Sequence, residues 1–218
     1  MRLSMLNKAF ITGCDENCEW QLPWFLENYF EFNETPLIFM DFGITAEAAD
    51  LLGRYDVEIV NVPSSVTGWF KKPKAILEAT KKAKVVCWLD TDCQVMGDIS
   101  GIFKYYKPNM LGMVQDRPWT ARRGLNGEWH NSGVVLTNKN NRLIEWSRLC
   151  ETNPKQGDQE VLYYSMNPIE RIAAIYSLPH QYNTLRLDYI DNIDVNDPLI
   201  IHHTGREGNK VIQGQINE

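Results

Sequence analysis

The chain has 218 residues, 44% hydrophobic and 23% charged, enough apolar material for a substantial core and an ordinary globular balance. A net charge of −6, from 28 acidic against 22 basic residues, excludes the clustered basic excess of a nucleic-acid footprint. No apolar run approaches the roughly 18 residues of a membrane span, and residues 1–8 lack the apolar centre of a signal peptide. Five cysteines, an odd number, then predict reduced thiols in a cytoplasmic setting, and Cys14, Cys18, Cys87 and Cys93 lack the C-x₂-C pairing of structural zinc.

In chain order, residues 9–12 read as a first strand, followed by a polar loop from Gly13 to Glu19. Pro23 suits the first turn of a helix carrying Trp24, Phe25, Leu26, Tyr29 and Phe30. Residues 37–40 form a second strand ending at Asp41, and Thr45 caps a helix over 46–55 with Glu47 and Asp50 early in it. A third strand covers 57–60 and a short helix with a basic outer face covers 74–84. Residues 85–89, Val-Val-Cys-Trp-Leu, are too few for a helix and read as a strand buried on both faces. This alternation predicts an α/β fold with a central, mostly parallel sheet flanked by helices.

The second half is less regular. Strands are expected at 110–114 and 133–137, helices at 143–150 and 159–166, and a late strand at 199–201 runs into His202-His203. Residues 115–130 include Gly124 and Gly127, show no period, and read as a long mobile loop. With no repeat or linker, residues 1–218 are expected to form a single domain.

The chemistry clusters at strand ends. Asp90 and Asp92 follow the buried strand; residues i and i+2 of an extended chain face the same side, so both carboxylates converge at the rim where α/β sheets bind ligands. Two hard oxygen donors there suit Mg²⁺ or Mn²⁺ bridging to phosphate, although Asp-Thr-Asp is also a good turn and cap sequence. After the first strand, the loop from Thr12 through Asp15 to Asn17 offers groups able to read a base or ribose, or simply shapes a turn. Asp41 before Gly43 is a turn former too. A histidine from the late strand could join the carboxylates and shift the metal preference toward Mn²⁺; His202 and His203 are strand neighbours facing opposite sides, so only one of them can do so. Arg206 and Lys210 could neutralise a departing diphosphate. No dinucleotide fingerprint, P-loop, zincin motif or nucleophile elbow is present.

The order of these pieces resembles a GT-A-fold glycosyltransferase, of the family 8 type. Cys14-Asp15-Glu16-Asn17 is similar to that family's nucleoside-binding Asp-x-Asn, and Asp41-Phe42-Gly43-Ile44-Thr45 to its Asp-x-Gly-Ile-Ser/Thr turn. Leu89-Asp90-Thr91-Asp92 resembles its metal-binding DXD motif, Asn131-Ser132-Gly133-Val134 its Asn-x-Gly-Val strand, and Asp158-Gln159 its Asp-Gln before a helix. His202-His203-Thr204-Gly205 resembles the closing His-x-x-Gly, after which the usual Lys-Pro-Trp is missing and Lys210 is displaced by two residues. The match spreads over about residues 9–210.

The resemblance implies a hexosyltransferase-like enzyme that moves a sugar from a nucleoside-diphosphate donor, UDP favoured, to a carbohydrate or glycoconjugate acceptor, with retention. It implies a nucleotide-binding half over about 1–95 and an acceptor-side half over about 96–218. Asp90, Asp92 and His202 would hold Mn²⁺ or Mg²⁺; Asp15 and Asn17, with Thr12, would contact the nucleoside. Lys72 would face donor sugar or diphosphate, Asn131 and Asp158 would bind donor hydroxyls, and Gln159 would lie by the anomeric carbon. Other readings compete: Lys71 and Lys72 as a solvated face, Asp158 as a helix cap, Trp119 and Trp129 as sugar platforms or as core, and Arg122 and Arg123 as phosphate clamps or solubilising charges. The rival functions are a sugar-nucleotide pyrophosphorylase, which the acidic Gly13–Glu16 loop disfavours, and a non-catalytic binding module, which the complete Asp90/Asp92/His202 set disfavours.

Overall fold

Short apolar runs that begin and end at polar turns give the strands, and the amphipathic segments between them give the helices. The computed structural model describes residues 5–124, 129–154, 156–193 and 195–217. Strand β1 spans Leu6–Thr12, helix α1 Leu22–Phe32, β2 Leu37–Asp41, α2 Ala46–Arg54 and β3 Glu58–Asn61. Helix α3 spans Lys72–Ala79, β4 Ala83–Leu89, β5 Cys93–Val95, β6 Leu111–Gln115 and α4 Arg117–Arg122. Then come β7 at His130–Thr137, α5 at Asn141–Thr152, α6 at Asp158–Tyr164, α7 at Pro168–Ala174 and β8 at Ile175–Ser177. The chain ends with β9 at Thr184–Leu185, α8 at Arg186–Ile190, β10 at Ile200–His202 and α9 at Gly205–Ile216.

Seven strands form the main sheet in the order β3-β2-β1-β4-β7-β6-β8. All pairings are parallel except those of β7, which runs antiparallel to both β4 and β6. Side chains alternate across the sheet. Phe10, Cys87 and Leu89 pack under α1 and α2 on one face, while Ile11, Val86 and Trp88 pack under α3 and α5 on the other. Each large side chain buried this way contributes roughly 1.5–3 kcal/mol of apolar transfer. The chain leaves β1 toward β2 on one side and returns as β4 on the other, so the ends of β1 and β4 mark a topological switch point. Thr12 and Asp90 stand there.

A second sheet, β5-β10-β9, is built directly after the Asp90–Asp92 turn. Its register sets His202 opposite Cys93, and the His203 amide donates to the Asp92 carbonyl at 3.0 Å. On the main sheet, the β6–β7 register shifts between Met113 and Val114, so pairing jumps from Val135 to Asn131. The irregularity falls at Ser132 and Gly133, where bulges re-aim side chains beside functional sites.

Several expectations need correction. Helix α3 begins at Lys72, not residue 74, because Pro73 fits its first turn, and it ends at Ala79, where the 80–82 turn leads into β4. The supposed loop 115–130 is helical over Arg117–Arg122, capped by the Asp116 side chain on the Trp119 amide at 3.0 Å, and its last residue begins β7. Residues 125–128 of that expectation lie outside the described residues. Helix α9 and the short elements α7, β8, β9 and α8 were not anticipated. Among the described residues no helix is long and apolar enough to cross a membrane.

Candidate active site

A cavity of about 290 Å³ opens at the switch point, lined by residues from the ends of β4 and β10, the start of the antiparallel β7, and the starts of α3, α6 and α9. Asp90, Asp92 and His202 meet in it. The Nε2 of His202 lies 3.0 Å from Asp92 Oδ1 and 3.8 Å from Asp90 Oδ2. Its Nδ1 lies 3.0 Å from Asn183 Oδ1, an acceptor, so Nδ1 carries a proton and donates it there. In the neutral imidazole the Nε2 lone pair then points at carboxylate oxygens, an arrangement that requires a proton or a cation between them. Burial opposes charge on His202 and on Asp92, but each outweighs that effect on its partner: the imidazole is shifted up and the carboxyl down.

Two carboxylates and an oriented imidazole nitrogen therefore fit a divalent cation. Cys93 Sγ also lies within 4.8 Å of the Asp92 and His202 donor atoms. Burial pushes its thiol well above the usual range and Sγ sits 3.9 Å from the Gly133 carbonyl, and the hard cations Mg²⁺ and Mn²⁺ prefer the carboxylate oxygens to sulfur. His203 faces away, as strand alternation demands, with Nε2 3.0 Å from Gln94 Oε1.

Lys72 is buried and its ammonium sits beneath this site. It reaches both Asp90 oxygens at 2.9 and 3.0 Å, Asp158 Oδ2 at 3.4 Å, and the carbonyl and hydroxyl of Ser132 at 3.2 Å each. Burial lowers its proton affinity, but Asp158 and Asp90 more than compensate and hold the ammonium charged. The solvated-face reading of Lys72 is thus overturned. Asp158 occupies the first turn of α6 without capping it, since Gly157 is the cap residue. Burial raises its carboxyl pKa against the pull of the Lys72 ammonium, 3.4 Å from its Oδ2.

The remaining polar groups form one connected network. Asn131 Oδ1 accepts from Asn183 Nδ2 at 2.9 Å and from the Gly133 amide at 2.8 Å, and its Nδ2 donates to Asp116 Oδ2 at 3.4 Å. Gln159 Oε1 accepts from the Ser132 amide at 3.0 Å while Nε2 donates to the same Asp116 oxygen at 3.5 Å. Asp116, with burial raising its pKa, and the fully buried Asn183 were missed from the sequence. Gly133 is required: a Cβ there would fall 2.1 Å from His202 Cε1.

Some candidates stand apart. Thr12, which ends β1, and Asp15 and Asn17 after it do not line the cavity; Thr12 Oγ1 is buried without a partner among the described residues, and Asp15 Oδ1 accepts from the Asn17 amide at 3.1 Å. Asp41 is a turn residue, accepting from the Gly43 and Ile44 amides at 2.7 and 3.0 Å. Arg206 and Lys210 lie on α9 outside the cavity lining, and Lys210 pairs with Glu207 at 2.7 Å on the exposed surface. What α9 brings to the cavity is its start, at Thr204 and Gly205. Trp129 is a core residue, packed 4.1 Å from Tyr163, whereas Trp119 lines the cavity. Arg122 pairs with Asp191 and Arg123 with Glu160.

No family model matches the chain, and no curated protein matches it. Among solved structures it is similar to the galactosyltransferase LgtC, determined with donor and acceptor sugar analogues: 15% identity over 90% of this chain and 87% of that one, with a TM-score of 0.64. The glycosyltransferase GlyE of Streptococcus pneumoniae TIGR4 aligns at 18% identity over 92% of this chain with a TM-score of 0.67, and this chain spans 55% of its length. Mouse xyloside xylosyltransferase 1 aligns at 13% identity over 90% and 97% of the two chains, with a TM-score of 0.60. This chain has the fold of these glycosyltransferases, the GT-A fold, with a mostly parallel central sheet flanked by helices.

Proposed function

We propose that this protein is a metal-dependent glycosyltransferase that moves a sugar from a nucleoside-diphosphate sugar, UDP favoured, to an acceptor hydroxyl. The observation that carries the reading is the meeting of Asp90, Asp92 and His202 at the switch-point rim, with His202 oriented by Asn183. These three residues would hold Mn²⁺, or Mg²⁺, and the bound ion would supply charge stabilisation for the leaving diphosphate. The positive end of α9, opening at Thr204–Gly205, favours negative charge in the same place. Arg206, one residue further on, is the nearer of the two proposed cations to that rim.

Asp158 Oδ2, buried 3.4 Å from the Lys72 ammonium, is suited to accept a hydrogen bond from a donor-sugar hydroxyl as well. Lys72 keeps Asp90 and Asp158 neutralised from below, so the cavity can gather carboxylates without expelling the sugar's anionic leaving group. Gln159, fixed at both ends of its amide, and Asn131 position the ring for attack. In the transfer, the bond from the anomeric carbon to the diphosphate oxygen breaks, a bond to the acceptor oxygen forms, and the acceptor's proton leaves with the diphosphate. Retention of configuration rests on the family resemblance. Thr12, Asp15 and Asn17, at the end of β1, are assigned to the nucleoside. All five cysteines are free thiols, which supports a reducing, cytoplasmic setting.

Isothermal titration of UDP and of GDP, each with Mn²⁺ and with chelator, tests the reading. Metal-dependent binding of UDP that Asp90→Ala and Asp92→Ala both abolish is the expected result. Binding of neither nucleotide, or binding indifferent to metal and to both aspartates, would sink it.

A further inference from the structure

Two tryptophans line the cavity with much of their surface exposed, Trp69 at 61% and Trp119 at 40%. They are built differently. Trp119 lies on α4, with its backbone amide tied to Asp116, the carboxylate that also receives Asn131 and Gln159. The Arg123 guanidinium stands over one face of its indole at 4.7 Å, and the same carbon is 4.8 Å from the ring of buried Trp129. Arg123 is also ion-paired at 3.0 Å to Glu160, the residue after Gln159 on α6. Arg123 thus ties one face of the indole to the buried Trp129 and to the helix that carries Asp158 and Gln159. Trp69 shows a tilted contact with Phe70 at 6.2 Å and, among the described residues, no guanidinium over its ring.

A fixed aromatic face beside hydrogen-bond-accepting carboxylates has a specific chemical complement. Asp116 lines the cavity with Trp119, and Glu160 there offsets the Arg123 charge, so no surplus positive charge invites an anion while a neutral ring bearing hydroxyls is favoured. A pyranose has such hydroxyls at its edges and an apolar C–H face that stacks on indole. We infer that Trp119 is the platform for the acceptor's pyranose ring and that Arg123 is the positioning residue that holds the indole. The inference rests on the transferase reading for the word acceptor, since the donor's ring is tethered to a diphosphate at the Asp90/Asp92/His202 end.

Saturation-transfer NMR tests it, using methyl β-D-galactopyranoside, methyl β-D-glucopyranoside and methyl α-D-mannopyranoside with the full chain, UDP and Mn²⁺. We expect transfer to the C–H protons of one ring face in at least one glycoside, lost in Trp119→Ala and kept in Trp119→Phe. Arg123→Ala should weaken it and Arg123→Lys should restore it, as a cation over the ring does and a merely structural contact does not. No signal from any glycoside, or a signal that survives Trp119→Ala, overturns the platform. Displacement of the glycoside by UDP-galactose or UDP-glucose, but not by UDP, assigns the face to the donor's ring and overturns the acceptor assignment. UDP titrated with Mn²⁺ into the same preparations reports separately on the donor site. UDP binding without glycoside binding removes the platform and leaves the transferase reading, and the reverse pattern does the opposite.

Discussion

Gly133→Ala is the smallest perturbation that reaches His202. The added methyl would lie 2.1 Å from His202 Cε1, 2.4 Å from its Nδ1 and 2.9 Å from Asn131 Oδ1. Carbon atoms in contact need about 3.5–4.0 Å, so the ring must move by more than 1 Å. The bond from Nδ1 to Asn183 starts at 3.0 Å and that from Nε2 to Asp92 also at 3.0 Å, so neither survives such a shift. Overpacking at about 1–3 kcal/mol and a buried Asn183 oxygen left unpaired at about 1–3 kcal/mol together lower stability by roughly 2–6 kcal/mol. A misaligned imidazole should weaken metal binding by about 10–100-fold. Asn183→Ala is the companion: it removes the hydrogen bond without the clash, so it should reproduce much of the affinity loss at a smaller stability cost. Circular dichroism follows folding, and titration of Mn²⁺ in the presence of UDP follows affinity. If Gly133→Ala is folded and binds Mn²⁺ within about twofold of the native chain, His202 is not a ligand and the reasoning fails.

Two further outcomes are specific to this chain. Lys72→Met removes one partner of a buried ion cluster and leaves Asp90 and Asp158 without their ammonium, which should cost about 3–5 kcal/mol, a fall in Tm of roughly 6–20 °C. A change below about 1 kcal/mol in chemical denaturation would show that the cluster does not depend on the lysine. Cys18 is the exposed thiol while Cys14, Cys87, Cys93 and Cys150 are buried, so iodoacetamide should modify Cys18 alone in the native protein. The reaction should be slow, because partial burial and the nearby Asp15, Asp92 and Asp90 carboxylates raise the Cys18 pKa. UDP with Mn²⁺ should slow it further, and an unchanged alkylation rate in a UDP-bound sample would place the nucleoside away from Asp15 and Asn17.

The parts of this structure that could be read from the sequence are those fixed by local pattern. Strand β4 is legible because a valine-rich run ends at two carboxylates two residues apart; alternation leaves only one of His202 and His203 facing those carboxylates, and the His-x-x-Gly resemblance selects His202, which lies 3.0 Å from Asp92. Thr45 capped its helix as expected, accepting from the Ala48 amide at 3.3 Å. What escaped depends on distant partners. Asn183 precedes a two-residue strand that exists only because β10 pairs with it, and nothing in its neighbourhood marks it as buried. Asp116 caps a six-residue helix inside a stretch with no period. Gly208 and Gly214 disguise α9 as irregular chain, yet a Cβ at Gly208 would fall 1.8 Å from the His203 carbonyl, so glycine is what lets the chain fold closely from His203 into the helix. The run Lys71-Lys72-Pro73-Lys74 looked uniform, but its three ammonium groups have separate fates: Lys71 donates to the Phe42 carbonyl at 2.6 Å, Lys72 is buried among carboxylates, and Lys74 meets Glu151 at 3.8 Å. Side-chain type is local, whereas burial is decided by the fold.

The central claim is that Asp90, Asp92 and His202 hold a divalent cation, and electron paramagnetic resonance of bound Mn²⁺ tests it most directly. The protein is prepared with ¹⁵N-labelled histidine and loaded with Mn²⁺ and UDP. The account predicts a nitrogen hyperfine coupling from one imidazole that disappears in His202→Ala and persists in His203→Ala. A bound Mn²⁺ with no imidazole coupling, or with a coupling that survives His202→Ala, would contradict it.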